Sequence, residues 1–386
     1  MVQDFPLEEF IQNAKKAGRT KDFIESTTDY ITNLKSNNYP VFFSIEHLAI
    51  SMGVQSDYLR ALIGEKKINN SFIIDVKPKK TEKYKYFKLE KKTGGYRIIC
   101  SPNDELKYIQ KWIYFNILSN YKLSKSCKGF VPNFSIKSNA EIHEGADLIL
   151  KIDLLRFFDT ITEKRVYGAF SYMGYQKNLC VALAKLCTVK HKLIYWDNFN
   201  EKEKIFLNKL LRKREAVLPQ GAPSSPSLAN IIATKMDKRF EQLSSVMNFS
   251  YSRYADDITF SIKEGGRLPS IKLLSKIIID EGFFINENKI RYIKKGKQQI
   301  VTGLSIANGI HTPKKYRKSI MRHIHFCRKF GVEEHLKKQK GKLRHDNHNA
   351  ISFHDWLYGN ICFILSVDKI YGERLLSGFN KIDWFI

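Results

Sequence analysis

The chain has 386 residues, 43% of them apolar, and 65 Lys and Arg against 39 Asp and Glu give it a formal charge of +26. That apolar content excludes a disordered chain and predicts a globular protein of two or three subdomains. The cation excess predicts a polyanionic partner, since each neutralised phosphate releases counterions, and 19 Tyr and 26 Phe offer aromatic faces for base stacking.

Residues 1 to 77 read as helical and mixed in charge, and Met1-Val-Gln-Asp-Phe-Pro6 lacks a signal-peptide pattern. Ser44 to Gly53 and Val54 to Ile63 read as two short helices around a Gly turn. Such a pair is either a helix-turn-helix DNA reader or a packing accessory, and the second is the commoner case. No apolar run reaches membrane-spanning length, so a soluble, cytoplasmic protein with no membrane partner is expected. The six cysteines (Cys100, Cys127, Cys180, Cys187, Cys327, Cys362) contain no Cys-x-x-Cys pair and read as reduced thiols.

Lys77 to Leu89 is basic and aromatic, and Gly94-Gly95 then predicts a hairpin turn that sets Lys92 and Arg97 on opposite strands. A cationic hairpin of this kind can clamp a triphosphate, Arg97 by its fork and Lys92 as a point charge. From Asp104 to Asn120, Leu106, Ile109, Ile113 and Ile117 recur at helical spacing. Asp147 to Asp153 is an apolar strand ending on a carboxylate, and Thr160-Ile-Thr-Glu163 predicts a capping box for a helix ending near Gly174. Asp159 is read as a support for that turn and helix.

Residues 190 to 216 form a charged loop and short helix with no assigned chemistry. Leu218-Pro-Gln-Gly-Ala-Pro-Ser-Ser-Pro226 is a rigid turn cluster whose amides can face a ligand, and it feeds a helix with Leu228, Ile231, Ile232, Met236 and Phe240 on one side. Phe249 to Arg253 and Ile258 to Ile262 read as strands that place Asp256 and Asp257 at a hairpin tip. A helix from about Ser270 to Gly282, a strand from Phe283 to Asn286 and a short strand from Ile300 to Ile306 follow. Thr312-Pro313 predicts an N-cap with Pro in the first turn. The helix it starts has an apolar stripe of Tyr316, Ile320, Ile324 and Cys327. Lys314, Lys315, Arg317, Lys318, Arg322, Arg328 and Lys329 take most of its remaining surface, a face fit for nucleic acid. His345-Asp-Asn-His348 reads as a polar loop in preference to a metal site, and Trp356 to Leu365 and Asp368 to Leu376 as closing helices.

Adjacent aspartates in a tight turn repel each other and call for cations. If Asp153 and the Asp256-Asp257 pair meet side by side in one sheet, they can hold two divalent ions for phosphoryl transfer. Hard oxygen ligands and a phosphate substrate favour Mg²⁺, with Mn²⁺ as a substitute. With Gln220-Gly221, Lys92 and Arg97 orienting a nucleotide, the layout is that of a polymerase.

The strand-end Asp153 with Phe157-Phe158, the Leu218 to Pro226 block and Tyr254-Ala-Asp-Asp257 resemble, in order, the motifs of reverse transcriptases over residues 78 to 310. Asn139-Ala140-Glu-Ile-His143 is similar to the Asn-Ala-x-x-His motif, and Val301-Thr302-Gly303 to the Val-Thr-Gly motif, of bacterial retron reverse transcriptases. Gly359 to Asp368 is similar to the thumb of the same group.

The resemblance implies an α+β right-hand polymerase with fingers, a palm whose antiparallel sheet is backed by helices, and a helical thumb. It places a helical N-terminal extension at 1–77, fingers and palm at 78–312 and an RNA-binding thumb at 313–386. It implies that Asp153, Asp256 and Asp257 are the catalytic triad, with Asp153 and Asp256 the main side-chain ligands, Asp257 either a weaker ligand or a support behind them, and the Leu154 carbonyl completing the nucleotide-side coordination. It implies that Phe158 is the gate against a ribose 2′-OH, that Arg97 and Lys92 grip the triphosphate, and that Gln220 touches the nucleotide and template pair. The implied partners are a cognate noncoding RNA, its branched single-stranded DNA product, deoxynucleoside triphosphates and a separate effector in anti-phage defence. Two rival readings stand beside it. One is a different bacterial reverse transcriptase, of intron or non-retron defence type. The other is an idle RNA-binding scaffold, which would need none of the three aspartates.

Overall fold

The computed structural model describes residues 5–64, 82–90, 96–196, 201, 204–205, 207, 215–263, 266–339 and 349–384. The chain divides into two compact units. One comprises Met1–Phe130, Leu154–Arg239 and Ile271–Ile285, and the other Val131–Asp153, Phe240–Ser270 and Asn286–Ile386. Helices and antiparallel strands make up both, as the α+β expectation has it.

The first unit opens with α1 (Leu7–Lys16), α2 (Lys21–Ser36), α3 (Ile45–Met52) and α4 (Ser56–Ile63). Gly53, at φ +69°, makes the turn between α3 and α4, where a side chain would be strained. Leu48, Ala49, Met52, Leu59, Leu62 and Ile63 are buried, so this pair does the work of a packing element. The strands β1 (Tyr84–Glu90) and β2 (Tyr96–Pro102) then form an antiparallel ribbon. Next comes α5 (Asp104–Asn116), capped by the Asn103 side chain accepting from Leu106 N at 3.0 Å. The predicted stripe of Leu106, Ile109, Ile113 and Ile117 is buried. The helix stops earlier than expected, and Leu118–Asn120 is a single 3₁₀ turn.

In the second unit, α6 (Ile136–Glu141) precedes β3 (Leu148–Asp153). The first unit resumes with α7 (Glu163–Tyr172), α8 (Lys177–Cys187) and the short α9 (Leu193–Trp196). The expected capping box is absent: Thr162 is the N-cap, and the Thr160 hydroxyl instead donates to Phe157 O at 2.9 Å. Asp159 accepts from Tyr195 Oη at 2.7 Å, where Tyr195 packs with Ile98, Leu207 and Val217.

Of the long helix α10 (Ser225–Met247), the residues to Arg239 are counted in the first unit and those from Phe240 in the second, and Leu228, Ile231, Met236 and Phe240 are buried. Its Phe240 end meets Tyr251 and Phe260 at ring separations of 5.1 and 5.2 Å. Those rings belong to β4 (Ser250–Tyr254) and β5 (Asp257–Ile262). After α11 (Ile271–Asp280), the expected strand at 283–286 shrinks to a bridge between Leu154 and Ile285. The ladder is formed further on by β6 (Arg291–Lys294), giving a four-stranded antiparallel sheet in the order β4-β5-β3-β6. The expected strand at 300–306 is instead a tight hairpin of β7 (Ile300–Val301) and β8 (Leu304–Ser305) around Thr302-Gly303, both at positive φ.

The chain closes with α12 (Lys314–Phe330), α13 (Val332–Gln339), α14 (Ala350–Val367) and α15 (Lys369–Phe379). Pro313, not Thr312, takes the cap position of α12, and the buried Thr312 hydroxyl has no partner among the described residues. Ile320, Ile324, Cys327, Phe353, Leu357, Ile361, Ile364, Leu375 and Phe379 form one buried cluster. Burying each of the Ile, Leu and Phe side chains contributes about 1.5–3 kcal/mol against the entropy of ordering the helices. All six cysteines are free thiols. His345 and His348 lie outside the described residues.

Candidate active site

The β-strand register decides where the acidic residues go. Asp153, the last residue of β3, is the register partner of Asp257, the first residue of β5. Partners across an antiparallel pair have Cα atoms about 4.5–5.5 Å apart and project to the same face. Tyr254 pairs with Asp257 in turn, so Ala255-Asp256 is a two-residue hairpin loop that carries Asp256 at its tip. Ala255 sits at φ +58°, a conformation that costs a residue with a Cβ. The fully buried Arg253 braces it, with Nη1 donating to Ala255 O at 3.1 Å.

The three carboxylates differ in their partners. Asp153 Oδ2 accepts from Lys289 Nζ at 2.8 Å, and its Oδ1 from Asn286 Nδ2 at 3.3 Å. Asn286 N also donates to the Asp153 carbonyl at 2.8 Å, which fixes the strand end. Asp257 Oδ2 accepts from Lys151 Nζ at 3.0 Å. Asp256 pairs with no cation among the described residues. Burial, and then the charge of Asp153, push the Asp256 carboxyl above the usual carboxylate range. Burial also raises Asp257, against the pull of Lys151. Among the described residues no three His, Cys, Asp or Glu side chains are drawn together tightly enough to hold a metal ion, two of these three carboxylates facing lysines instead. The donor set is all oxygen and under-compensated, which suits a hard divalent cation.

Of the candidate nucleotide-binding residues, Arg97, Phe158 and Gln220 lie in the first unit, on or beside one backbone network. Ile161 N donates to Phe158 O at 3.1 Å, Leu218 N to Ile161 O at 2.9 Å, and Cys100 N to Gln220 O at 2.7 Å. Gly221, at φ +121°, presses so closely on β2 that a Cβ there would lie 2.7 Å from Ile99 Cγ2. The turn bearing Gln220 is thereby docked two residues from the exposed Arg97. Phe158 is partly exposed and stands edge-on to the buried Phe157 at 5.5 Å. Leu154 is buried in its bridge with Ile285. Lys92 lies outside the described residues.

The two short motifs meet each other in the second unit. Ala140 packs with Val301, Leu304 and Ile306, and Thr302 Oγ1 donates to Ile136 O at 2.9 Å. Gly303 supplies the positive φ of the hairpin. Asn139 is buried, and its Oδ1 has no partner among the described residues. His143 is fully buried, with Nδ1 2.7 Å from Ser261 Oγ and Nε2 2.7 Å from Ser252 Oγ. It therefore ties the turn after α6 to both strands of the Asp256 hairpin. Burial holds its ring neutral, pushing it down to about 3.

On α12, Lys314, Lys315, Lys318, Arg322 and Arg328 are exposed. Arg317 is the exception. Its guanidinium lies 3.6 Å from Asp368 Oδ2 and 4.8 Å from the Tyr371 ring centre, so it serves the packing of α12 on α15. Lys151, Lys289, Asn286 and Arg253 all touch the acidic site, and the sequence reading assigned none of them a role in it. Strand alternation could have found Lys151, which shares a face with Asp153 two residues away. Lys289 had no such signal, because it reaches Asp153 across a distance of more than a hundred residues in the chain.

Residues 78–317 match the sequence profile described as reverse transcriptase (RNA-dependent DNA polymerase). The chain is 32% identical over 307 residues to the retron Ec86 reverse transcriptase of Escherichia coli, covering 78% of this chain and 82% of that one. It is 29% identical over 368 residues to the retron Mx162 reverse transcriptase of Myxococcus xanthus, covering 90% and 69%. Among solved structures, telomerase from Candida albicans aligns over 77% of this chain and 61% of its own, at 13% identity and a TM-score of 0.39.

Proposed function

The chain belongs to the reverse transcriptases, RNA-directed DNA polymerases, on their retron branch, and from that premise we propose that it copies its own structured noncoding RNA into branched, multicopy single-stranded DNA. The first deoxynucleotide joins a guanosine 2′-OH of the RNA, and later ones join the growing 3′-OH. In each step the hydroxyl oxygen attacks the α-phosphorus and pyrophosphate leaves. The product serves anti-phage defence in the cytoplasm beside a separate effector protein. No helix among the described residues is long and apolar enough to cross a membrane.

The single observation that carries the polymerase reading is the pairing of Asp153 with Asp257, with Asp256 one residue away at the hairpin tip. Asp153 and Asp256 would be the main holders of two Mg²⁺ ions, for which Mn²⁺ could substitute, with Asp257 in a weaker role and the Leu154 carbonyl as a further oxygen donor. The ions supply the Lewis acidity that the phosphoryl transfer needs. Arg97 and Lys92 take the triphosphate charge, Gln220 lies along the nucleotide and template pair, and the Phe158 ring bars a 2′-OH. The Asn139 to His143 and Val301 to Gly303 motifs, packed on one another beneath the hairpin, favour the retron assignment over other bacterial reverse transcriptases. The exposed cations of α12 hold the RNA.

Asp256→Asn is expected to lower RNA-templated DNA synthesis by at least about a thousandfold while RNA affinity stays within about twofold. Primer extension and filter binding on one preparation measure both, and undiminished synthesis would remove the carboxylate from the chemistry. Nucleic acid co-purifying with the wild-type chain tests the retron assignment. A species with DNA joined to RNA through a 2′-linkage is expected, and unbranched RNA alone would count against it.

A further inference from the structure

Two lysines meet the acidic site in different ways. Lys289 reaches Asp153 from solvent, with 55% of its side chain exposed, so it can leave when another cation arrives. Lys151 rises from inside β3 with only 21% of its side chain exposed. Its register partner Thr259 is buried, and the neighbouring His143 is neutral and committed to two serines. Among the described residues, Asp257 is the carboxylate Lys151 pairs with. The ammonium is thus part of the sheet, placed one register step behind Asp257 on the face that carries Asp153.

We propose that Lys151 is a positioning residue that holds the Asp257 carboxylate away from the divalent ions, leaving Asp153 and Asp256 to bind them. The inference rests on reading Asp153 and Asp256 as the ion ligands. Three ionised aspartates gathered on one cation bind it tightly, and an ion gripped that way releases pyrophosphate and steps to the next nucleotide slowly. A fixed internal cation on the third carboxylate keeps the affinity moderate. Lys289 cannot do this, because its own carboxylate is the one the incoming ion needs.

The test is Mn²⁺ binding to the full chain, without nucleotide or RNA, followed by electron paramagnetic resonance and set beside primer extension in saturating Mg²⁺. Lys151→Met is expected to bind Mn²⁺ tighter by on the order of tenfold, because a unit charge close to the site is removed, while synthesis falls by at least as much. Lys151→Arg keeps the charge and is expected to keep the wild-type Mn²⁺ affinity. Adding Asp257→Asn to Lys151→Met is expected to cancel the gain, as coupled neighbours require. If Lys151→Met does not fold, Lys151→Gln gives the same reading. Unchanged or weaker Mn²⁺ binding in the neutral variant, or a gain that survives Asp257→Asn, would overturn the proposal. Asp256→Asn separates it from its premise: if that variant loses Mn²⁺ binding while the Lys151 variants do not change it, only the role of Lys151 fails. If Mn²⁺ binding ignores Asp256→Asn, the premise itself fails.

Discussion

Phe158 owes its place to Phe157. Phe157 is buried against Phe283, with ring centres 5.3 Å apart, and anchors the turn from which the Phe158 ring projects. Truncating Phe158 therefore removes a wall and leaves the turn standing. Phe158→Ala is expected to cut the preference for deoxynucleotides over ribonucleotides by at least about tenfold, since a contact-sized gap is worth roughly 1–3 kcal/mol of discrimination. The ratio of kcat/KM for the two nucleotides measures it, and an unchanged ratio would mean that the ring does not face the ribose. The aspartates were legible in the sequence because a strand ending on a carboxylate and a hairpin tip are both local signals. Their lysine partners were not, because a salt bridge across strands depends on register, and only alternation along β3 hinted at Lys151.

At the scale of single elements, helices were read well and small strands poorly. The stripes of α5, α10 and α12 lie largely on buried faces, with Ile232 and Tyr316 only partly covered, because an apolar 3.6-residue period marks the side of a helix that packs. The edge strand β6 gave no such signal. Arg291, Tyr292 and Lys294 are exposed and only Ile293 turns partly inward, so the segment reads as a charged loop. The β7–β8 hairpin was hidden inside what looked like one apolar run, because Thr302 takes a positive φ that its residue type does not advertise. On α12 the burial pattern changes which cations face a ligand. Arg317 is spent on Asp368 and Tyr371, whereas Lys318 and Arg322 are exposed one turn apart. Reversing Lys318 and Arg322 to Glu is expected to weaken RNA binding and lower the slope of log K against log salt by about 1.5, as two lost phosphate contacts require. Reversing Arg317 should instead lower the melting temperature. An unchanged salt slope in the double variant would take this helix face out of the RNA interface.

Across the whole molecule, the buried histidines set a limit on acid tolerance. Burial pushes His143, in one unit, and His191, in the other, down to about 3, and His323 to about 4. All three are neutral in the fold, while in the unfolded chain they titrate near the ordinary histidine value of about 6.5. Below that pH the unfolded chain takes up protons that the fold refuses, so stability falls as pH drops from about 6.5 towards the folded values. The raised carboxyls of Asp256 and Asp257 have the opposite sign, but they act nearer the carboxylate range. Between pH 6.5 and 5 the loss belongs mainly to the histidines, about 1.5 kcal/mol for each fully buried one. His143→Gln keeps a neutral side chain able to bond Ser252 and Ser261 but has nothing to titrate. Urea unfolding at the two pH values is expected to show the variant losing about 1.5 kcal/mol less than the wild type. An equal loss in both proteins would mean that His143 is protonated in the fold, and its bonds to the two serines could not then be those of a neutral ring.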